Sequence, residues 1–113
     1  MSCALVLYLA SCALFLISFY LPVMLKTFSI IVSGKVQGVY YRQSTQEKAQ
    51  QLFIDGIVKN LPDGNVQIIA TGTADQVDQL IVWCKQGPPH AVVTSVHVEE
   101  LAPQQFTGFV IQR

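Results

Sequence analysis

Short segments in which apolar and polar side chains alternate predict the strands of this chain. Residues 28–33 follow a period of two and stop at Gly34, which predicts a half-buried first strand. Residues 92–99 alternate in the same way and predict a fourth strand. Two β-prone runs, residues 57–60 and 66–70, flank a Pro-Asp-Gly sequence that favours a tight turn. We therefore expect these two runs to pair as an antiparallel hairpin.

The first helix is predicted between the first two strands, over residues 43–54. Ser44 followed three residues later by Glu47 matches a capping box, so the helix should begin directly after a glycine-containing loop at residues 34–41. The remaining residues are mostly Gln, Glu and Lys, which predicts an amphipathic helix. Its apolar side chains, at spacings of three and four, are Ala49, Leu52 and Phe53.

The second helix is predicted to begin at Thr73 and to end before Gly87. Thr73 and Gln76 repeat the capping-box pattern, and Lys85, Gly87 and Pro88 together supply a stop signal. Five apolar side chains keep helical spacing along this segment: Ala74, Val77, Leu80, Ile81 and Cys84.

The predicted order of elements is β-α-β-β-α-β, which is the split βαβ or ferredoxin-like plan. We therefore predict an α+β sandwich in which two helices cover one face of an antiparallel sheet. Residues 106–111 could add a short fifth strand. Trp83 is predicted at the edge of the helical stripe. The predicted core sets Leu52, Phe53, Leu80, Ile81 and Cys84 against Ile30, Val32, Ile68, Val96 and Val98.

Composition divides the chain into two parts. Its 113 residues include seven Lys and Arg and seven Asp and Glu, all of which lie beyond residue 25. Residues 1–25 contain 21 apolar residues, whereas residues 26–113 have the composition of an ordinary water-soluble domain. The length fits one small domain over residues 26–113. The even charge excludes the net basic field with which most nucleic-acid-binding proteins attract their partners.

The apolar segment, residues 1–25, has two interpretations that the sequence leaves open. It is long enough to cross a bilayer as a helix, and it fits a secretory signal less well because no basic side chain precedes it. Alternatively, translation starts at Met24, and residues 24–113 form the whole domain. We expect a cytoplasmic protein in the second case, and contact with a membrane only in the first.

Cysteine and histidine usage predicts neither a disulfide nor a metal site in the domain. Cys84 is the one cysteine beyond residue 25 of the sequence, so it has no partner within the domain. His90 and His97 stand seven residues apart without the cysteines or carboxylates of a metal-binding motif. We therefore expect no metal and no cofactor.

The loop at residues 34–42 joins a strand to a helix N-terminus and is the best candidate for chemistry. Unpaired N–H groups and the helix dipole favour an anion there, and two glycines allow the backbone to curl around it. Arg42 would add a planar guanidinium suited to phosphate oxygens. The alternative is a tight turn followed by a solvent-exposed arginine. Asn60, taken alone, is better explained as a turn residue before Leu61-Pro62.

The run Gly-Lys-Val-Gln-Gly-Val-Tyr-Tyr-Arg at residues 34–42 closely resembles the signature of the acylphosphatase family. Residues 56–60 (Gly-Ile-Val-Lys-Asn), followed by Gly-Asn-Val, resemble a second signature of that family. The resemblance extends over residues 27–113 and is greatest to bacterial members. Two departures occur, since Tyr41 stands where Phe is common and Ile57 where an aromatic residue is usual.

The resemblance implies a metal-independent hydrolase that converts acyl phosphates into a carboxylate and inorganic phosphate. It matches Arg42 to the phosphate-binding arginine and Asn60 to the asparagine that orients the attacking water. One arginine, fixed amides and an ordered water suffice for this reaction because a carboxylate leaves without being protonated. The resemblance also implies a phosphate cradle made by the backbone amides of Gln37, Gly38, Val39, Tyr40, Tyr41 and Arg42.

Two other functions stay open on the sequence alone. The same fold carries RNA-binding modules, but residues 66–70 lack the aromatic and basic side chains that such modules place on central strands, so we expect no nucleic-acid partner. A non-enzymatic membrane accessory protein would require residues 1–25 to be a real anchor. We expect a monomer whose partners are a small acyl phosphate and the phosphate product.

Overall fold

A computed structural model describes residues 24–113, which form seven regular elements. The interpretations of residues 1–23 as an anchor, a signal or an untranslated segment lie outside the described residues. Within residues 24–113, neither helix is long and apolar enough to cross a membrane. The elements are β1 (Lys26–Lys35), α1 (Tyr41–Gln51), β2 (Asp55–Asn60), β3 (Val66–Gly72), α2 (Ala74–Gln86), β4 (Val92–Leu101) and β5 (Phe109–Gln112).

The five strands form one sheet in the order β4-β1-β3-β2-β5. The first four strands pair antiparallel, with Ile30 opposite Ile68 and Val98, and Val58 opposite Ile68. The predicted α+β order and ferredoxin-like arrangement are confirmed. The fifth strand makes the sheet mixed, because β5 pairs with β2 in parallel. The chain leaves β4 at the end of the sheet where β2 begins, so β5 must run in the direction of β2.

Two buried threonines hold the connection between β4 and β5 at that end of the sheet. The hydroxyl groups of Thr27 and Thr71 lie 2.7 Å apart on adjacent strands. Thr71 donates to the carbonyl of Gln104 at 2.9 Å, and the Gln104 amide donates to Thr27 Oγ1 at 2.9 Å. This network fastens the connection across the sheet and so directs β5 to the edge beyond β2.

Both helices pack on one face of the sheet. Ala49 of α1 and Leu80 and Cys84 of α2 are buried against strand residues such as Ile30 and Ile68. The predicted core contained two errors. The first is Val98, whose side chain is 36% exposed because it lies on the edge strand β4.

The second error concerns Phe53, which was predicted to face the core and is 84% exposed. Helix α1 ends at Gln51, and Phe53 adopts a left-handed conformation with φ of 58°. This reversal turns the phenyl ring outward and directs the next side chain, Ile54, into the core, where it is 1% exposed. The helical period that predicted Phe53 to be buried stops two residues before it, at Gln51.

The two helices begin in different ways, and one of the two predicted capping boxes is wrong. Helix α1 begins at Tyr41, two residues earlier than predicted, so Ser44 and Glu47 already lie within the helix. Its N-cap is Tyr40, which makes no side-chain capping hydrogen bond. Helix α2 has the predicted box, because the Gln76 amide donates to Thr73 Oγ1 at 3.3 Å and the Thr73 amide donates to Gln76 Oε1 at 2.9 Å.

A buried tyrosine connects the two helices. The Tyr41 hydroxyl donates a hydrogen bond of 2.7 Å to the backbone carbonyl of Cys84, one of the last four carbonyls of α2, which have no partner within their helix. Its ring packs against Trp83 at a centroid distance of 5.6 Å. Gly87 borders the ring so closely that a Cβ there would lie 2.8 Å from Tyr41.

Burial raises the pKa of the Cys84 thiol to about 12, which keeps it protonated.

Candidate active site

One end of the sheet brings together the segments that carry the candidate residues. Strands β1, β2 and β5 run in the same direction, so the loop after β1, the end of β2 and the residue after β5 lie side by side. A cavity of about 410 Å³ opens there beside the N-terminus of α1. Its lining consists of Val36, Gly38, Tyr40, Tyr41, Arg42, Gln43, Asn60, Ile111 and Arg113.

The loop before α1 has the backbone geometry of an anion cradle. Gly38 has φ of 75°, and Tyr40 is left-handed with φ of 61° and ψ of 25° before the chain turns into the right-handed helix. Alternation of this kind lets successive N–H groups converge on one point. A Cβ on Gly38 would meet no atom within 4 Å, so the glycine serves the backbone conformation rather than close packing.

The N–H groups of this cradle are left free by the rest of the described chain. The first backbone hydrogen bond of the helix runs from the Ser44 amide to the Tyr40 carbonyl at 3.0 Å. Within residues 24–113, none of the amides from Gln37 to Gln43 donates to a loop or side-chain acceptor. These donors, together with the positive end of the helix dipole, favour a negatively charged ligand.

The charged side chains of the cavity have one sign. Arg42 lies in the first turn of α1 and is half-buried, and Arg113 follows the last strand. Among the described residues that line the cavity, none has a side-chain carboxylate. The charged side chains of the lining are thus two guanidinium groups, and a guanidinium offers paired donors that match phosphate oxygens.

Asn60 is the last residue of β2. It lines the same cavity as the glycine loop, although the two are separate in sequence. Its Oδ1 atom is buried and has no hydrogen-bond donor among the described residues. A buried acceptor of this kind costs about 1–3 kcal/mol if it stays without a donor. Asn60 thus brings to the lining of the cavity a carboxamide whose oxygen the described residues leave without a donor.

The structure brings Arg42, Asn60, Gly38, Tyr40 and Tyr41 to one cavity, although the two signature segments are separate in sequence. Tyr40 is 75% exposed at its rim. Two further predicted cradle residues contribute side chains elsewhere. Val39 is buried in the core, and Gln37 donates two hydrogen bonds to the turn after β2.

Sequence reasoning missed two cavity residues near the C-terminal end of the chain, Ile111 and Arg113. Lys59 pairs with Gln112 in the parallel β2–β5 ladder, so the next residues along, Asn60 and Arg113, are neighbours. The signal that could have found them is the direction of β5, which a short terminal strand does not reveal by its hydrophobic pattern. Within residues 24–113, no three His, Cys, Asp or Glu side chains cluster in a way that could hold a metal ion.

Comparisons with known proteins agree with the geometry. The sequence profile of the acylphosphatase family, described as "Acylphosphatase", matches residues 28–111. A protein named "Acylphosphatase" from Methylococcus capsulatus is 47% identical over 90 residues, which cover 79% of this chain and 98% of that protein. Another from Marinobacter nauticus is 54% identical over 81 residues, covering 71% of this chain and 88% of that protein.

A solved structure gives the same result for the fold. The structure of an acylphosphatase from Coxiella burnetii superposes with a TM-score of 0.76 at 39% sequence identity, covering 78% of this chain and 93% of that one. The resemblance carried by the two signature segments is thus confirmed over most of the described residues. The chain belongs to the acylphosphatase family and is an acylphosphatase.

Proposed function

We propose that this acylphosphatase hydrolyses acyl phosphates without a metal ion, using Arg42 and the loop amides to hold the phosphate and Asn60 to orient the attacking water. The observation that carries the proposal is that Arg42, Gly38 and Asn60 line one cavity. The substrate is a mixed anhydride of a carboxylic acid and phosphoric acid, and the products are a carboxylate and inorganic phosphate.

The phosphate oxygens accept hydrogen bonds from the N–H groups of residues 37–42 and from the Arg42 guanidinium. Support comes from the free amides, the left-handed turn at Tyr40 and the absence of a side-chain carboxylate among the described lining residues. Phosphoryl transfer needs positioning and stabilisation of charge on the equatorial oxygens, which fixed donors supply without reorganising. In this arrangement the main chain contributes most of the donors and Arg42 most of the charge.

Asn60 orients the water. Its buried Oδ1, which has no donor within the described residues, accepts one water hydrogen and directs a lone pair of the water oxygen toward phosphorus. A carboxamide is too weak a base to remove a proton. The proton therefore passes to a non-bridging oxygen of the phosphate itself.

The step balances without a general acid. A bond forms between the water oxygen and phosphorus, and the bond between phosphorus and the bridging oxygen breaks. The electron pair of that bond leaves with the carboxylate, which is stable without protonation. This accounts for a cavity whose described lining has neither histidine nor an acidic side chain.

Replacement of Asn60 tests the proposal. We expect Asn60→Ala to lower kcat for benzoyl phosphate by about 10²-fold, because a misplaced nucleophile loses the alignment that the reaction needs. Competitive inhibition by inorganic phosphate should change little, since the cradle and Arg42 remain. A chelator should leave turnover of both proteins unchanged.

Gln67→Ala is the matched control. Gln67 lies on the neighbouring strand and donates to Ser29 Oγ at 3.1 Å on the other face of the sheet, away from the cavity. It should keep full turnover. Parental turnover by Asn60→Ala would contradict the water-orienting role.

A further inference from the structure

The side chain of Gln37 connects the glycine loop to the turn that follows Asn60. Its Nε2 atom donates to the carbonyl of Leu61 at 2.9 Å and to the carbonyl of Asn65 at 2.8 Å. Both hydrogens of the carboxamide are thus used, and Gln37 itself does not line the cavity. A side chain from the glycine loop therefore binds the segment that follows Asn60.

The segment that receives these hydrogen bonds is itself a closed turn. The Leu61 amide donates to the Asn65 carbonyl at 2.8 Å, and the Gly64 amide donates to the Leu61 carbonyl at 3.2 Å. Leu61 and Asn65 are thus hydrogen bonded to each other independently of Gln37. Because Leu61 follows Asn60 directly, the turn and the end of β2 move as one unit.

Apolar burial and hydrogen bonding contribute differently to the position of the loop. Its amides from Gln37 to Tyr40 make no hydrogen bond to loop or side-chain acceptors within the described residues. Val36, Val39 and Tyr41 anchor this segment by burial in the core. The two hydrogen bonds of Gln37 add a direct polar connection from the loop to the segment that follows Asn60.

We propose that Gln37 is a positioning residue that sets the distance between the bound phosphate and the water oriented by Asn60. This inference rests on the proposed roles of the loop and Asn60. The side chain of Gln37 acts through Asn60 and does not touch the substrate, whereas its backbone N–H belongs to the proposed cradle. Loss of the side chain leaves the phosphate cradle, which is local to the loop, and disturbs the placement of the nucleophile relative to phosphorus.

This role predicts a separation between binding and turnover. A displacement on the order of 1 Å between reacting groups can lower a rate by about 10²-fold, whereas phosphate affinity depends on donors that stay in place. Gln37→Met keeps the approximate length of the side chain and removes both donors. We expect kcat for benzoyl phosphate to fall by about 10-fold or more, and the inhibition constant of inorganic phosphate to change by less than about 3-fold.

A double-mutant cycle with Asn60→Ala tests the mechanism of that loss. If Gln37 acts by placing Asn60, removing Gln37 matters little once the carboxamide of Asn60 has gone. Gln37→Met in the Asn60→Ala background should then lower kcat by less than about 3-fold. Gln67→Met, on the other face of the sheet, is the matched control and should leave kcat unchanged in both backgrounds.

A second variant guards against a general loss of structure. Gln37→Glu has nearly the same shape and places a carboxylate against two carbonyl oxygens, so it should reproduce the loss of kcat and its dependence on Asn60. Equal fold-losses in the two backgrounds, or a loss of phosphate affinity in Gln37→Met as large as its loss of kcat, would overturn this inference and leave the proposed function standing. Parental turnover by Asn60→Ala would overturn the proposed function, and the inference with it.

Discussion

The two helix N-termini of this small domain are opposites. Helix α2 is closed by its own residues, since Thr73 and Gln76 exchange hydrogen bonds between side chain and backbone. Helix α1 begins at a left-handed Tyr40 without a side-chain cap. The same type of backbone end is thus satisfied internally in one helix and presented to a cavity in the other.

The capped start of α2 contributes to the stability of the fold, whereas the uncapped start of α1 leaves its amides available to a ligand. A cap contributes about 1 kcal/mol to stability by satisfying amides that would otherwise lack partners. The first turn of α1 forgoes that contribution, and it adds a residue with positive φ, which is costly for a side chain other than glycine. In the proposed complex, the phosphate accepts hydrogen bonds from the same amides and replaces the cap. Strain and open donors therefore occur together where Arg42 enters the cavity.

Among substitutions at the uncapped start of α1, Arg42→Ala should lower activity most. Loss of the guanidinium leaves the amides without a full counter-charge, so we expect kcat/KM for benzoyl phosphate to fall by about 10²–10³-fold. Arg42→Lys keeps the charge but not the planar pair of donors, and it should restore little of the loss. Thermal unfolding with and without inorganic phosphate gives an independent measurement. A parental shift of Tm by phosphate in Arg42→Ala would contradict the assignment.

Gly38→Ala should have an intermediate effect. Alanine at φ of 75° is strained although space is open, and we expect a loss of about 1 kcal/mol in the free energy of unfolding. Relaxation of that strain would turn the amides away, so phosphate affinity should fall by about 10-fold. Gly108→Ala is the matched control, because Gly108 has φ of 73° and equally open surroundings at the other end of the sheet. Equal phosphate affinity in the two variants would argue against the cradle.

Thr73→Ala should have the smallest effect on activity and a clear one on stability. Removal of the hydroxyl breaks the box at α2, so urea unfolding should show a loss of about 1 kcal/mol with kcat unchanged. Ser44→Ala provides the contrast, because Ser44 lies inside α1 and caps nothing. Its free energy of unfolding should change by less than about 0.5 kcal/mol. A reversed ranking of these two variants would refute the assigned helix starts.

Much of the fold is readable from local patterns. Alternation identified β1 and β4, the Pro-Asp-Gly turn identified the β2–β3 hairpin, and the Thr73 box identified the start of α2. The parallel pairing of β5 was not predicted, because it depends on where the β4–β5 connection is held by Thr27 and Thr71. Patterns of three or four residues do not predict contacts between residues that are distant in sequence.

The candidate site shows the same division. Residues of the two signature segments were identified by resemblance, and their roles remain proposals. Arg113 and the side-chain contacts of Gln37 were not predicted, since both depend on which segments meet at the end of the sheet. The start of α1 was misplaced because Ser44 and Glu47 have the spacing of a box. Tyr41, Thr45 and Ala49, at intervals of four, form the buried face that places the helix start earlier.

The hydroxyl of Tyr41 connects the start of α1 to the end of α2 by a hydrogen bond that phenylalanine could not make. This hydroxyl is bonded to the far end of the other helix, and the following residue in the chain is Arg42. The C-terminal turn of α2 is thus connected through one side chain to the backbone next to the guanidinium. Because Trp83 and Gly87 contact the Tyr41 ring, we expect substitutions there to affect turnover although neither residue lines the cavity.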